Sequence, residues 1–90
     1  MTAAEVQASL KVASNWVLGE NAIEKRFAFE DFHRTMNFVN AVAGIAHVQD
    51  HHPDLLVSYG SCTVRWSTHS VGGLSQKDFD CAALVDGLLA

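Results

Sequence analysis

The sequence is poor in basic residues and has no long apolar run. Six lysine and arginine residues stand against ten aspartate and glutamate residues, whereas a protein that binds phosphate backbones through charge is expected to be basic. The basic residues are also scattered, which argues against direct nucleic-acid binding. No apolar run reaches the roughly 18–20 residues of a membrane span, and residues 1–10 lack the pattern of a signal peptide. We therefore expect a cytoplasmic protein with no membrane partner.

Cysteine is also scarce, since the chain has only Cys62 and Cys81. A small secreted fold usually carries more cysteines, in pairs that form disulfides, so these two are expected to be buried, reduced thiols. The rest of the composition is that of a globular protein, and 90 residues predict one domain over the whole chain, 1–90. A core of this size is marginal, so association with further copies is an expected source of stability.

Capping signals and periodicity divide the chain into seven elements. A capping box at Thr2 predicts a helix to about residue 10, and Asp31 and Ser75 are predicted to cap helices that run to about residues 50 and 88. Between the helices, period-two alternation predicts two pairs of strands, which cover residues 16–18, 23–29, 55–59 and 62–66. The order α-β-β-α-β-β-α favours an α+β fold, with three helices on one face of a four-stranded antiparallel sheet.

The middle predicted helix carries two apolar stripes. The first has the three- or four-residue spacing of a face that covers a sheet and consists of Phe32, Met36, Val39, Ala43 and Ala46. The second lies beside it and consists of Phe38, Val42, Ile45 and Val48. Because one stripe is enough to cover a sheet, the second predicts packing against another helix, such as one from a partner subunit.

Histidine is abundant, and four of its five residues fall in two segments. His47, His51 and His52 surround the exit of the middle helix, which Pro53 ends, and His69 follows the fourth predicted strand. Imidazoles exchange protons near neutral pH, so a pocket with two or three of them can hold an acid and a base together. The alternatives are a polar helix terminus and a metal site formed by His47 and His51 together with a third imidazole, that of His52 or His69. Catalysis is favoured over a metal because no cysteine or glutamate stands at a known ligand spacing.

Polar residues beside these histidines add further hypotheses. Asp78 completes a capping box, and it is also placed to orient His69 as carboxylates orient catalytic imidazoles. Ser67 and Thr68 bring hydroxyls to a strand end, where they suit recognition of a flat ring rich in heteroatoms. The exposed face of a strand explains the same hydroxyls equally well. Asp50 is either a solvated acid at the helix end or an acceptor at the pocket edge.

The spacing of these residues resembles the signature of the pterin-4a-carbinolamine dehydratases. The pattern reads His47-x3-His51-His52-Pro53-x5-Tyr59-x9-His69-x8-Asp78, and the flanking segments 27–32 and 68–78 agree with it. The resemblance covers most of the chain, from about residue 16 to residue 88. It implies a four-stranded antiparallel sheet with three helices on one side, and a homodimer or homotetramer. Position 47 is the one departure, because it is often a glutamate in this family.

The resemblance also implies a reaction, which is loss of water from a 4a-hydroxytetrahydropterin to give the quinonoid dihydropterin. It implies no metal and no other cofactor. This step recycles tetrahydrobiopterin after an aromatic amino acid hydroxylase has used it, so such a hydroxylase is the implied functional partner. The alternative that the resemblance implies is a protein-interaction role, as a dimerisation cofactor or transcriptional coactivator that acts through the middle helix.

Roles follow from the resemblance position by position. His51, His52 and His69 are implied as catalytic residues, with His51 and His69 as the acid/base pair. The implied substrate-binding residues are Asp50, His51, His52, Ser67, Thr68 and His69. Asp78 is implied as a supporting residue for His69. Pro53 is implied as a second supporting residue, since it fixes the turn that aims the two adjacent histidines.

Overall fold

A four-stranded antiparallel sheet forms the middle of the computed structural model, which describes residues 1–90. Its strands are β1 (Val17–Gly19), β2 (Ala22–Ala28), β3 (Asp54–Ser58) and β4 (Ser61–Trp66). Two-residue turns close both hairpins, and the hairpins join through β2 and β4, so the strand order is β1-β2-β4-β3. The predicted α+β fold class and its order of elements are confirmed.

Three helices complete the chain: α1 (Ala3–Val12), α2 (Phe32–Gln49) and α3 (Gln76–Gly87). The predicted caps are confirmed, because Thr2 Oγ1 accepts a hydrogen bond from the Glu5 backbone at 3.1 Å and Asp31 Oδ1 accepts one from the Arg34 backbone at 2.8 Å. A short 3-10 helix, His69–Val71, lies between β4 and α3 and was not predicted. None of the helices has the length and apolar character needed to cross a membrane.

The core lies between the helices and one face of the sheet. Alternation along β4 turns Cys62, Val64 and Trp66 inward, and all three are fully buried. The helices add buried apolar residues to the same cluster, namely Val6, Phe38, Val42, Ala46, Phe79, Cys81, Ala82 and Val85. The opposite face of the sheet carries exposed side chains such as Arg26 and Leu56. All three helices therefore cover one face, as the sequence predicted.

The buried row of α2 differs from both predicted stripes. Phe38 and Val42 are buried, and the Phe38 ring packs on Phe27 of β2 with centroids 4.7 Å apart. The prediction that α2 also packs against another helix is confirmed within the chain, since α2 lies against α3 and both residues share the core with it. Phe32, from the first stripe, is 49% exposed. Thr35 completes the buried row. Hydropathy did not indicate it because threonine is polar, but its hydroxyl lies within hydrogen-bond distance of two backbone carbonyls.

Lys25 interrupts the apolar alternation of β2 because it forms a polar cluster with α3. Its ammonium lies 2.8 Å from Asp86 Oδ1 and 5.1 Å from the centre of the Phe27 ring. The other carboxylate oxygen of Asp86 accepts a hydrogen bond from Trp16 Nε1 at 2.9 Å. This cluster ties the end of α3 to β2 and to the segment that precedes β1.

Candidate active site

Two segments that are distant in sequence meet at one end of the sheet. The first leaves α2 through Asp50 and turns at Pro53 into β3. The second leaves β4 after Trp66 and passes through the 3-10 helix to the first turn of α3. A contact of 2.6 Å between His51 Nε2 and Asp78 Oδ1 joins them. The structure thus brings together parts of both segments that the sequence singled out.

The end of α2 determines where His51 lies. Asp50 adopts the left-handed conformation, with a φ of 49°. The backbone N–H of Asp50 donates to the His47 carbonyl at 3.3 Å, and that of His51 donates to the Ala46 carbonyl at 3.1 Å. These two bonds form a Schellman motif, which ends a helix by reversing the direction of the chain. His51 therefore leaves the helix and meets the first turn of α3.

Asp78 is a fully buried carboxylate with several hydrogen-bond donors around it. Its Oδ2 accepts from Thr68 Oγ1 at 2.7 Å and from the Ser75 backbone N–H at 2.9 Å. A buried carboxylate is tolerated when donors surround it, and these two bonds suit the ionised form. We therefore assign the proton in the third contact to His51 Nε2, which donates to Asp78 Oδ1. This assignment leaves Nδ1 of His51 free for a ligand.

The structure pairs Asp78 with His51 rather than with His69, which corrects the expectation drawn from the sequence. Thr68 directs its hydroxyl towards the first turn of α3, where it reaches Asp78. His69 begins the 3-10 helix directly afterwards and is exposed. The capping box that was predicted at the start of α3 is present, so Asp78 closes that helix and holds an imidazole at the same time.

Trp66 is a part of the site that the sequence did not indicate. Its indole ring stacks on the His51 imidazole, with ring centroids 5.4 Å apart and planes inclined by 10°. Alternation along β4 did place Trp66 in the core. The stacking depends on the contact between the end of α2 and β4, and no local sequence pattern predicts that contact.

A polar cleft opens beside this network. Its volume is about 340 Å³, and no hydrophobic side chain lines it. The cleft is lined by Ser67, Thr68 and His69, together with Glu20, Asn21, Asp54, Arg65, Gly72 and Gly73. Three residues singled out in the sequence therefore share one cavity. Thr68 belongs to both the cleft and the Asp78 network, so it connects the cavity to His51.

The other histidines occupy exposed positions. His52 follows His51 at the site, and His47 lies in the last turn of α2. His33 is exposed in the first turns of α2 and contacts Asn37 at 3.4 Å. Asp50 is likewise exposed, at the edge of the histidine pair.

No group of three or more histidine, cysteine, aspartate or glutamate side chains is arranged to hold a metal ion. The metal hypothesis built on the imidazoles near the end of α2 thus finds no ligand set. Cys62 and Cys81 are buried and free of any disulfide, as predicted. Burial raises the pKa of both thiols above the ordinary value.

Comparison with known proteins decides the family. Residues 1–88 match the sequence profile of the family described as pterin 4 alpha carbinolamine dehydratase. The chain belongs to this family. The match includes both segments of the site, so the resemblance drawn from the histidine spacing is confirmed.

Relatives from several bacteria are similar in sequence to this chain. A protein of Nitrosomonas eutropha is 49% identical over 79 residues, which cover 88% of this chain and 70% of that protein. A protein of Bdellovibrio bacteriovorus is 46% identical, over 98% of this chain and 77% of its own length. Both carry the name pterin-4-alpha-carbinolamine dehydratase as a provisional one.

Solved structures give the same family fold. A crystal structure from Brucella melitensis, described as a transcriptional coactivator/pterin dehydratase, has a TM-score of 0.93 at 29% identity and covers 100% of this chain and 98% of its own. A pterin dehydratase-like protein described as a RuBisCO assembly factor of the alpha-carboxysome has a TM-score of 0.70. At 23% identity, over 82% of this chain and 88% of its own, the second structure supports the fold alone.

Proposed function

We propose that this chain dehydrates a 4a-hydroxytetrahydropterin to the quinonoid dihydropterin. The observation that carries the proposal is the imidazole of His51, held by the buried carboxylate of Asp78, which Thr68 joins to a polar cleft lined by His69. Two imidazoles at the same end of the sheet supply the acid and the base that the elimination of water needs. Membership of the pterin dehydratase family names the class of substrate.

The reaction moves two protons and breaks one C–O bond. The hydroxyl on C4a accepts a proton and leaves as water, while N5 of the pterin loses its proton. The electron pair of the N5–H bond forms the new double bond between N5 and C4a, so atoms and electrons balance without an oxidant or a reductant. Positioned acid and base groups contribute about 10²–10⁴-fold to such a step. We propose that the chain uses no cofactor for it.

The geometry suits His51 as the base that takes the N5 proton. Because Nε2–H donates to Asp78, the lone pair of the neutral ring lies on Nδ1 and can accept a proton. The buried carboxylate then stabilises the imidazolium that results, as in the aspartate–histidine pairs of hydrolases. His69 is exposed at the cleft and makes no contact with a carboxylate, so we assign it the transfer of a proton to the leaving hydroxyl.

The remaining candidate residues have binding or supporting roles in this proposal. His52 and Asp50 contact the edge of the pterin from the exit of α2, and His52 is able to share in proton transfer. Ser67 donates to or accepts from the heteroatoms of the ring. Thr68 acts mainly through the hydrogen bond from its hydroxyl to Asp78. Pro53 fixes the turn from which the two adjacent histidines project.

We propose that the substrate comes from an aromatic amino acid hydroxylase, so that the step recycles tetrahydrobiopterin. We also propose that the chain forms a homodimer or homotetramer in the cytoplasm. The side chains of Leu56 and Tyr59 are exposed at the β3 edge of the sheet, and they support the association with further copies.

The decisive experiment follows the dehydration of freshly generated 4a-hydroxytetrahydropterin by ultraviolet absorbance. The wild-type protein should accelerate the reaction, and the His51→Ala/His69→Ala double variant should abolish the acceleration. His33→Ala is the matched control, because it removes an exposed imidazole on α2 away from the cleft and should keep full activity. Circular dichroism confirms that each variant is folded.

Two results would contradict the proposed function. Folded wild-type protein that leaves the rate unchanged would show that the chain is not this dehydratase. Full activity in the double variant would show that the two imidazoles are not the acid and the base.

A second candidate function is the protein-interaction role. The observation that favours it is the 29%-identical structure described as a transcriptional coactivator/pterin dehydratase. The stripe through Phe38 and Val42 no longer supports it, because those side chains lie in the core. Phe32 and Val48 remain exposed on α2, at 49% and 77%. Sedimentation of labelled protein mixed with unlabelled copies tests this role. An oligomer that never exchanges subunits would keep α2 inaccessible to another protein and would count against the role.

A further inference from the structure

Trp66 is placed where core packing alone does not favour a tryptophan. The side chain is fully buried, and its indole Nε1 is the one buried side-chain polar atom without a hydrogen-bond partner. Burying a donor without an acceptor is unfavourable. Leucine, which has no flat face, would fill an apolar position at the end of β4 without that penalty. The flat face of the indole therefore calls for an explanation other than burial.

The face of the indole contacts the imidazole of His51. The two rings are nearly parallel, with planes inclined by 10° and centroids 5.4 Å apart, which is an offset stack. Asp78 holds the same imidazole through Nε2, whose N–H bond lies in the plane of the ring. A single hydrogen bond does not fix the plane of the ring, because the imidazole can still rotate about the line between Nε2 and the carboxylate oxygen. A parallel surface against the ring face removes that rotation.

We propose that Trp66 is a positioning residue that fixes the plane of His51 and so aims Nδ1 at the substrate. Trp66 has no exposed surface with which to touch a ligand, so its effect passes through His51. The inference rests on the proposed dehydratase function for its kinetic test. Misplacing a reacting group by about 1 Å can lower a rate on the order of 10²-fold, so the loss of the stack should appear in kcat.

Three variants separate the ring face from core filling. Trp66→Leu removes the flat face, whereas Trp66→Phe keeps a flat face, and both remove the unpaired N–H. Trp66→Leu should lower kcat by about 10- to 100-fold with KM changed less than threefold. Trp66→Phe should stay within about threefold of wild type in kcat. Trp16→Phe is the control, because Trp16 is a buried tryptophan whose N–H bonds Asp86 in another part of the chain, and its kcat should be unchanged.

Proton NMR gives a readout that does not depend on activity. The ring protons of a histidine stacked on an indole are shifted upfield by the ring current. The His51 signals should show this shift in wild type, keep most of it in Trp66→Phe and lose it in Trp66→Leu. This measurement still tests the inference if the wild-type chain has no dehydratase activity, or if one variant does not fold.

Equal kcat in folded Trp66→Leu and wild type would overturn the inference. An equal loss of kcat in Trp66→Phe and Trp66→Leu would overturn it as well, because volume rather than the flat face would then matter. The absence of any upfield shift of the His51 signals in the wild-type protein would show that the rings do not stack in solution.

Discussion

At the scale of single residues, the site depends on one buried carboxylate with two tasks. Asp78 closes the first turn of α3 through the Ser75 backbone, and it orients His51 through the other oxygen. The sequence supported the first task because a capping box is a local pattern of four residues. It could not reveal the second, because the partner histidine lies 27 positions away.

Replacing Asp78 with asparagine separates these tasks. Asparagine still offers an oxygen to the Ser75 N–H, so we expect a folded protein. It removes the charge that stabilises the imidazolium of His51, so kcat should fall about 100-fold or more while KM changes little. Steady-state kinetics of Asp78→Asn measure this effect. Asp80→Asn is the matched control on the exposed side of α3, and equal rates in the two variants would disprove the role of Asp78.

Asp50 combines backbone strain with a position at the site. Its φ of 49° favours glycine, since a side chain in the left-handed region is strained. Asp50→Gly should therefore be more stable than Asp50→Ala by about 1 kcal/mol in urea denaturation. Both variants lack the carboxylate and should raise KM equally if Asp50 contacts the pterin. Identical stabilities would show that the conformation of residue 50 carries no strain.

At the scale of elements, local patterns predicted the helix caps and the alternation of β4. The buried row of α2 could not be predicted from hydropathy, because the two apolar stripes together contain half of the residues of the helix. Thr35 is buried although it is polar, since its hydroxyl lies within hydrogen-bond distance of the carbonyls of Asp31 and Tyr59. Which residues of α2 are buried therefore depends on the element that packs against the helix. For the same reason, the stack of Trp66 on His51 was invisible in the sequence.

The Lys25–Asp86 pair gives a prediction about how α3 is attached to β2. Lys25 lies in the inward row of β2 and its side chain is only 19% exposed. Lys25→Met keeps the apolar stem and should cost less than about 1 kcal/mol of unfolding free energy. Asp86→Ala leaves the ammonium unpaired and removes the acceptor of Trp16 Nε1, so it should cost about 1–3 kcal/mol. Urea denaturation compares the two, and equal losses would refute the asymmetry.

At the scale of the whole molecule, stability should fall in alkaline solution. The pKa of both Cys62 and Cys81 is raised by burial, so the folded protein keeps these thiols neutral while the unfolded chain ionises them. The unfolded state then binds fewer protons, and the free energy of unfolding decreases as the pH rises above about 9. A Cys62→Ala/Cys81→Ala variant should show a flatter pH dependence between pH 8 and pH 10 in thermal unfolding. An equal slope in both proteins would contradict this account.

The family, the order of elements and the convergence of two histidine segments were all predictable from spacing along the chain. The pairing within the site was not, because it depends on the direction in which each segment leaves its helix or strand. The Schellman motif at the end of α2 turns His51 towards α3, and the 3-10 helix turns His69 towards the cleft. The proposed function places a bound pterin between these two imidazoles.

The most direct test of that placement is a pterin titration followed through the five histidine rings by NMR. A stable dihydropterin serves as the probe, because it carries the ring of the product without reacting. We expect the ring signals of His51, His52 and His69 to move with one common dissociation constant, while those of His33 stay fixed. Unchanged signals at His51 and His69, or changes confined to His33, would contradict a pterin site at this end of the sheet.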